Sequence, residues 1–226
     1  MYSDRKEHYN SKGLYVGYDR NHKERDALDY YSTPTEEVEN ILNVMQLDLN
    51  QSNILEPCCG GGHMVQGIVN YIDNQQYDSK LWKLKATDIQ DRNSLLRPQD
   101  YEAGPAFDFL SDDYPYTKDI DYIIMNPPYS VIEPFVMKSL GIANKGILML
   151  GRLQFLEGQG RYENILKDFP PTKTYIYVDR ISCFKNGDTN IKQASAQAYA
   201  WFYWDLEHPE AKPEIKFIRR ADKKCQ

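Results

Sequence analysis

"SNILEPCCGGGHMVQGIVNYI", Ser52 to Ile72, joins a short apolar run to three consecutive glycines and then to a segment with helical spacing. "SNILEP" reads as a short buried strand. Val65, Ile68, Val69 and Ile72 share one face of the helix that follows. Gly60, Gly61 and Gly62 let the backbone turn sharply and approach a ligand, which is thereby delivered to the positive end of the helix beginning near His63. A strand, a glycine loop and a helix in that order are the first unit of an α/β fold.

Reading outward, the same alternation continues on both sides. Upstream, "YYSTPTEEVENILNVM" offers Thr33, Pro34 and Glu36 as a T-x-x-E capping box with Pro at the first helical position. Val38, Ile41, Leu42 and Met45 then follow along one helix face. Downstream, "LWKLKATD", "AFDFL" and "DYIIMN" read as strands ending at Asp88, Asp108 and Asn126. Ile132, Phe135, Val136 and Leu140 describe another helix, "GILMLG" a further strand, "RYENILKDF" a helix, and "TYIYVD" and "AYAWFYW" the last two strands. Such alternation predicts an α/β, Rossmann-like fold: a mostly parallel seven-stranded sheet with helices on both faces and a ligand crevice at the carboxyl ends of the strands. "RISCFKNGDTNIKQASAQ" separates the last two strands without an evident helix, so the last strand is expected to be antiparallel.

A chain of 226 residues suits one sizeable domain. Residues 1–28 are polar with mixed charges and read as an arm, 29–210 as the folded domain, and 211–226 as a basic tail carrying six Lys or Arg against two acids. A net charge of −6 argues against wrapping nucleic acid over the whole surface and requires any basic site to be local. Cys58, Cys59, Cys183 and Cys225 lack paired metal-ligand spacing, so no metal is expected. With no apolar leader and no run of about 20 apolar residues, a cytoplasmic protein of a reducing compartment is expected.

The polar strand ends carry the chemistry. The dinucleotide fingerprint fails because Val65 stands where the last glycine belongs, and the phosphate-binding G-K-[ST] is missing. Glu56-Pro57-Cys58-Cys59-Gly60-Gly61-Gly62 instead places a carboxylate at the loop, suited to a cationic amino group. Asp88 stands where a carboxylate accepts from ribose hydroxyls, or else serves as a helix cap or surface acid. Asp108 beside Phe109 would accept from an adenine amino group and stack on its ring.

"NPPY", Asn126 to Tyr129, is the sharpest signal. Two prolines stiffen the backbone and leave the Pro127 carbonyl beside the Asn126 amide oxygen as two acceptors suited to an NH₂ group. Accepting both N–H bonds of an exocyclic amine favours a pyramidal nitrogen and turns its lone pair toward an electrophile. Tyr129 offers a ring for a planar group to stack on. The plainer alternative is a rigid strand-to-helix turn, with Pro134 opening the next helix.

Taken together, Asn126 to Tyr129, Glu56 to Gly62, Asp88, and Asp108 with Phe109 resemble the class I S-adenosylmethionine-dependent amino-methyltransferases, the group of DNA adenine-N6 enzymes. "YYSTP", including Tyr31, resembles their segment that holds the methionine end of the cofactor, and its place before "NPPY" matches the gamma motif order. "RLQFLEGQGR" and "AWFYW" are similar to small phage-borne members. The resemblance implies S-adenosylmethionine as cofactor: Tyr31, Thr33, Pro34, Glu56, Pro57, Cys58, Gly60 and Gly62 around the methionine end, Asp88 at the ribose, Asp108 and Phe109 at the adenine, with Asn126 touching both cofactor and substrate. It also implies Asn126, Pro127, Pro128 and Tyr129 as catalytic residues and a target base flipped between Tyr129 and Phe184.

The chain departs from restriction-type members in one respect. Only about 22 residues follow the last expected strand, too few for a target-recognition domain. Readout would then come from the arm, Asp91 to Ala106, the loop around Phe184, the basic tail or a protein partner. The same chemistry on RNA adenine or protein glutamine, and a catalytically silent cofactor-binding partner in a complex, are the alternatives.

Overall fold

The computed structural model describes residues 8–9, 15–17, 31–90, 102–103, 106–181, 183–185 and 197–221. An eight-stranded sheet is built from β1 (Asn53–Glu56), β2 (Lys83–Ala86), β3 (Glu102–Ala103), β4 (Ile120–Met125), β5 (Ala143–Arg152), β6 (Lys173–Tyr177), β7 (Tyr199–Asp205) and β8 (Glu214–Ile218). Their spatial order is β8-β6-β7-β5-β4-β1-β2-β3. Only β7 runs against its neighbours, pairing antiparallel with both β5 and β6, while the remaining pairs are parallel. This is the expected fold class: seven strands of four residues or more, with a two-residue strand added at one edge.

The period-two alternation of each strand feeds two cores. On β4, Tyr122 and Ile124 face one layer and Ile123 and Met125 the other; on β7, Trp201 and Tyr203 oppose Ala200, Phe202 and Trp204. The first layer is closed by α1 (Thr35–Met45) and α2 (His63–Asn74), the second by α3 (Ile132–Ile142) with Phe155 and Ile165. Val38, Ile41 and Leu42 of α1 and Val65, Ile68 and Ile72 of α2 are fully buried, each worth about 1.5–3 kcal/mol of transfer free energy. The two helices cross closely at Gly67, where an added Cβ would stand 2.5 Å from the Val38 Cβ. Among the described residues no helix is long and apolar enough to cross a membrane.

Four expectations are corrected. "AFDFL" forms no strand, because an Asp108 carboxylate oxygen accepts from Leu110 N at 2.9 Å and the Asp108 carbonyl from Ser111 N at 2.9 Å, folding the segment into a turn. The sheet is extended there by Glu102–Ala103 instead. The capping box is absent: Pro34 is the N-cap of α1, without a side-chain bond, and the Thr33 hydroxyl is used elsewhere. Helix α3 begins at Ile132, two residues ahead of Pro134, after a 3₁₀ turn over Tyr129–Val131. Finally, Glu214–Ile218, read as part of a basic tail, forms β8 parallel to β6. Of the arm, His8–Tyr9 pairs with Tyr15–Gly17, and the rest lies outside the described residues together with Cys225 and most of Asp91–Ala106.

Candidate active site

The strand order reverses direction between β1 and β4, since β1 is followed by β2 on one side while β4 leads to β5 on the other. A crevice opens at such a switch, beyond the carboxyl ends of the strands. Glu56 ends β1, Asp88 follows β2, and Asn126 follows β4, so three of the residues expected at the site meet at one edge.

Glu56 is fully buried. One of its oxygens accepts from Cys58 N at 3.1 Å and from the Cys58 thiol at 3.3 Å, whereas Oε2 is buried with no hydrogen-bond partner. Burial, aided by the nearby Asp88 charge, raises its carboxyl well above the usual carboxylate range. Burial likewise pushes the Cys58 thiol well up, which leaves it a neutral packing group. Pro57 is buried in the turn itself.

Gly60 and Gly62 take φ of +49° and +86°, left-handed values that a side chain resists. Gly62 caps α2. The turn is held from β2: Cys59 N donates to the Thr87 carbonyl at 2.9 Å, and Gly60 N to Asp88 Oδ2 at 2.8 Å. Asp88 also accepts from Gln90 N at 2.9 Å, so this carboxylate shapes the loop. Phe107 N donates to the Asp88 carbonyl, which brings Asp108 beside the same edge. Phe109 goes the other way: it is 1% exposed, packed edge-on against Tyr114 and tilted against Phe135, and has no free face for a ligand ring.

Asn126 sits under the "YYSTP" segment. Its Nδ2 donates to the Tyr31 carbonyl at 2.9 Å and to Thr33 Oγ1 at 3.1 Å. A carbonyl can only accept, so the atom facing Tyr31 must be the NH₂, and the amide is thereby fixed with Oδ1 turned away from this segment. Pro127 is buried, and the Pro128 carbonyl closes the following turn by accepting from Val131 N at 3.1 Å. Tyr129 donates its hydroxyl to Tyr199 at 3.0 Å, and its ring lies 5.7 Å from that of Tyr31 at 34°. Burial raises the Tyr129 phenol far above its ordinary range, so it stays neutral.

The backbone of Phe184–Lys185 pairs antiparallel with Tyr31–Ser32, Phe184 opposite Ser32 and Lys185 opposite Tyr31. The segment expected to wall the target base is therefore tied to the strand that orients Asn126. Two residues at this edge escaped the sequence reading. Arg152 ends β5 and lies with its guanidinium carbon 4.1 Å from the Tyr129 ring centroid, and Tyr199 opens β7 directly across from it. A polar residue closing "GILMLG" was the available signal for Arg152, by the same rule that picked out Asp88 and Asn126.

No protein-family profile matches the chain, and no curated protein matches it in sequence. Solved structures do match it in fold. The methyltransferase subunit of a type I restriction-modification system from Streptococcus thermophilus superposes with a TM-score of 0.58 at 12% identity, over 84% of this chain and 47% of that one. A protein described as an RNA methyltransferase from Pyrococcus horikoshii gives 0.55 at 14%, over 79% and 87%. One described as a class I S-adenosylmethionine-dependent methyltransferase from Listeria monocytogenes gives 0.56 at 11%, over 87% and 68%. The chain thus has the fold of these methyltransferases and spans about half the length of the restriction-modification subunit.

Proposed function

We propose that the protein transfers a methyl group from S-adenosylmethionine to the exocyclic N6 amine of adenine in DNA. The observation that carries this reading is the pinned amide of Asn126, whose donors are both spent on Tyr31 and Thr33 so that only an acceptor is left for a ligand.

The residues of the crevice fit the cofactor. The orphaned Glu56 Oε2 lacks a donor, which a cationic amino group would provide, and the left-handed glycines keep the loop free of side chains where a ligand approaches. When bound, S-adenosylmethionine supplies an electrophilic methyl carried on a sulfonium. The chain supplies the rest. Asn126 Oδ1 and the Pro127 carbonyl would accept the two amine hydrogens and bias the nitrogen toward a pyramidal, nucleophilic form. Tyr129 would hold the base plane by stacking, which orients that lone pair. As the N–C bond forms and the methyl–sulfur bond breaks, one of the two amine hydrogens held by these acceptors becomes surplus and would pass as a proton to water.

The restriction-modification neighbour supports DNA as the substrate. RNA is the second reading, favoured by the RNA-methyltransferase neighbour, of which the match covers 87% of the length. Phe184 would be the second wall of the base pocket, and a protein partner would supply target recognition. Protein glutamine as substrate, and a silent cofactor-binding role, are the remaining outcomes.

The test is transfer of labelled methyl from S-adenosylmethionine to mixed DNA, RNA and protein, followed by nucleoside analysis. N6-methyladenine in DNA is expected, and its loss in Asn126→Ala with cofactor binding retained. Label confined to RNA or protein would move the target, and undiminished transfer by Asn126→Ala would overturn the mechanism.

A further inference from the structure

Arg152 is an unusual group to find at the end of a central strand. Its guanidinium lies on Tyr129 at 4.1 Å from the ring centroid, and its Nε is buried without a hydrogen-bond partner among the described residues. A desolvated N–H without an acceptor is costly, and the ring below recovers only part of that through cation–π attraction. Tyr129 itself is anchored by a hydrogen bond to the Tyr199 hydroxyl and packs against the tilted rings of Tyr31 at 5.7 Å and Tyr199 at 6.5 Å. The guanidinium rests over one face of that ring.

Resting on the reading above, we propose that Arg152 is a substrate-binding gate: in the free protein it covers the face of Tyr129 on which the target base stacks, and on entry of the base it turns outward to clamp a phosphate of the nucleotide chain. The side chain is long, only part-buried, and attached at the strand end, so it can leave the ring without disturbing β5. A guanidinium matches a phosphodiester with a bidentate fork, and the unused Nε–H is one tine of that fork. In a protein of net charge −6, phosphate affinity must come from a few local cations of this kind.

The gate predicts effects of opposite sign for two ligands that share a base. With Arg152→Ala in the whole 226-residue chain, 2′-deoxyadenosine, which has no phosphate, should bind about tenfold more tightly because nothing need be displaced from Tyr129. An adenine-containing single-stranded oligodeoxynucleotide should bind about tenfold more weakly, with the slope of log Kd against log salt reduced by about one. An oligoribonucleotide run in parallel distinguishes the two sources of phosphodiester. Arg152→Lys should keep the salt slope while resembling Arg152→Ala toward the nucleoside, and it decides the matter if the alanine variant fails to fold. Equal weakening of both ligands, or no change in either, would overturn the gate. Methyl transfer by the parent protein reports separately on the proposed function: a parent that methylates nucleic acid while Arg152→Ala binds both ligands normally sinks the gate alone, and a parent that neither binds nor methylates nucleic acid sinks both.

Discussion

Asn126 owes its direction to what it donates to, and that makes the site sensitive to a one-atom change. Asn126→Asp would set a carboxylate oxygen 2.9 Å from the Tyr31 carbonyl, two acceptors with no proton between them. Methyl transfer is expected to fall about 10²–10³-fold with cofactor affinity nearly unchanged, read by single-turnover kinetics and calorimetry. Glu56 gives a pH signature. Its folded pKa lies above its unfolded value, so it contributes most stability below the ordinary carboxylate range, and that contribution is lost as pH rises through the raised value. Glu56→Gln should therefore melt like the parent in acid and above it at neutral pH, by about 2–4 °C for each kcal/mol recovered, while binding S-adenosylmethionine more weakly. A parent stabilised on going from acid to neutral pH relative to Glu56→Gln would contradict this. Four adjacent letters made Asn126 legible as a candidate acceptor. Its fixed orientation was not, because the Tyr31 carbonyl lies 95 residues away in the chain. Arg152 was hidden for a similar reason, since its meaning depends on its stack with Tyr129.

Among elements, the helices and central strands were legible because periodicity records which face is buried. The Val65-Ile68-Val69-Ile72 face of α2 packs as its spacing required. "AFDFL" misled because its composition suits a strand, while the Asp108 carboxylate competes for the backbone at short range. Strand β8 was missed because "EIKFI" lies in a basic run, and four of its five residues are exposed on the sheet edge. The crossing of α1 and α2 offers the clearest packing test. In Gly67→Ala the new methyl would meet the Val38 Cβ at 2.5 Å and the Thr35 carbonyl at 2.7 Å, both on α1. A loss of about 1–3 kcal/mol is expected in denaturant melts, and an unchanged midpoint would mean that the helices can part without cost.

For the whole molecule, the C-terminal strand is a structural member rather than an appendage. Beyond it, Asn40 Nδ2 donates to the Arg219 carbonyl at 2.8 Å, and both Glu37 oxygens accept from Ala221 N at 3.1 Å, which ties the end of the described chain to α1. Burial already raises the Glu37 carboxyl, and removing Ala221 would leave it poorer in donors. Truncation after Pro213 should cost about 2 kcal/mol or more and uncover β6 as a new sheet edge, so that the protein self-associates. Size-exclusion chromatography and thermal melts read both effects, and a monodisperse truncated chain with parental melting would refute them. The overall architecture was legible because alternating strands and helices admit few arrangements. Target recognition was not, because readout of bases depends on side chains that meet only in space.

The small ribbon between Tyr31–Ser32 and Phe184–Lys185 has a consequence in time. Asn126 lies between the ribbon's two strands in the chain and takes its direction from the first. Until the second emerges from the ribosome, Tyr31 lacks its partner strand. A nascent chain that ends before Phe184 thus carries Asn126 to Tyr129 without the ribbon, which closes only once residue 185 has been added.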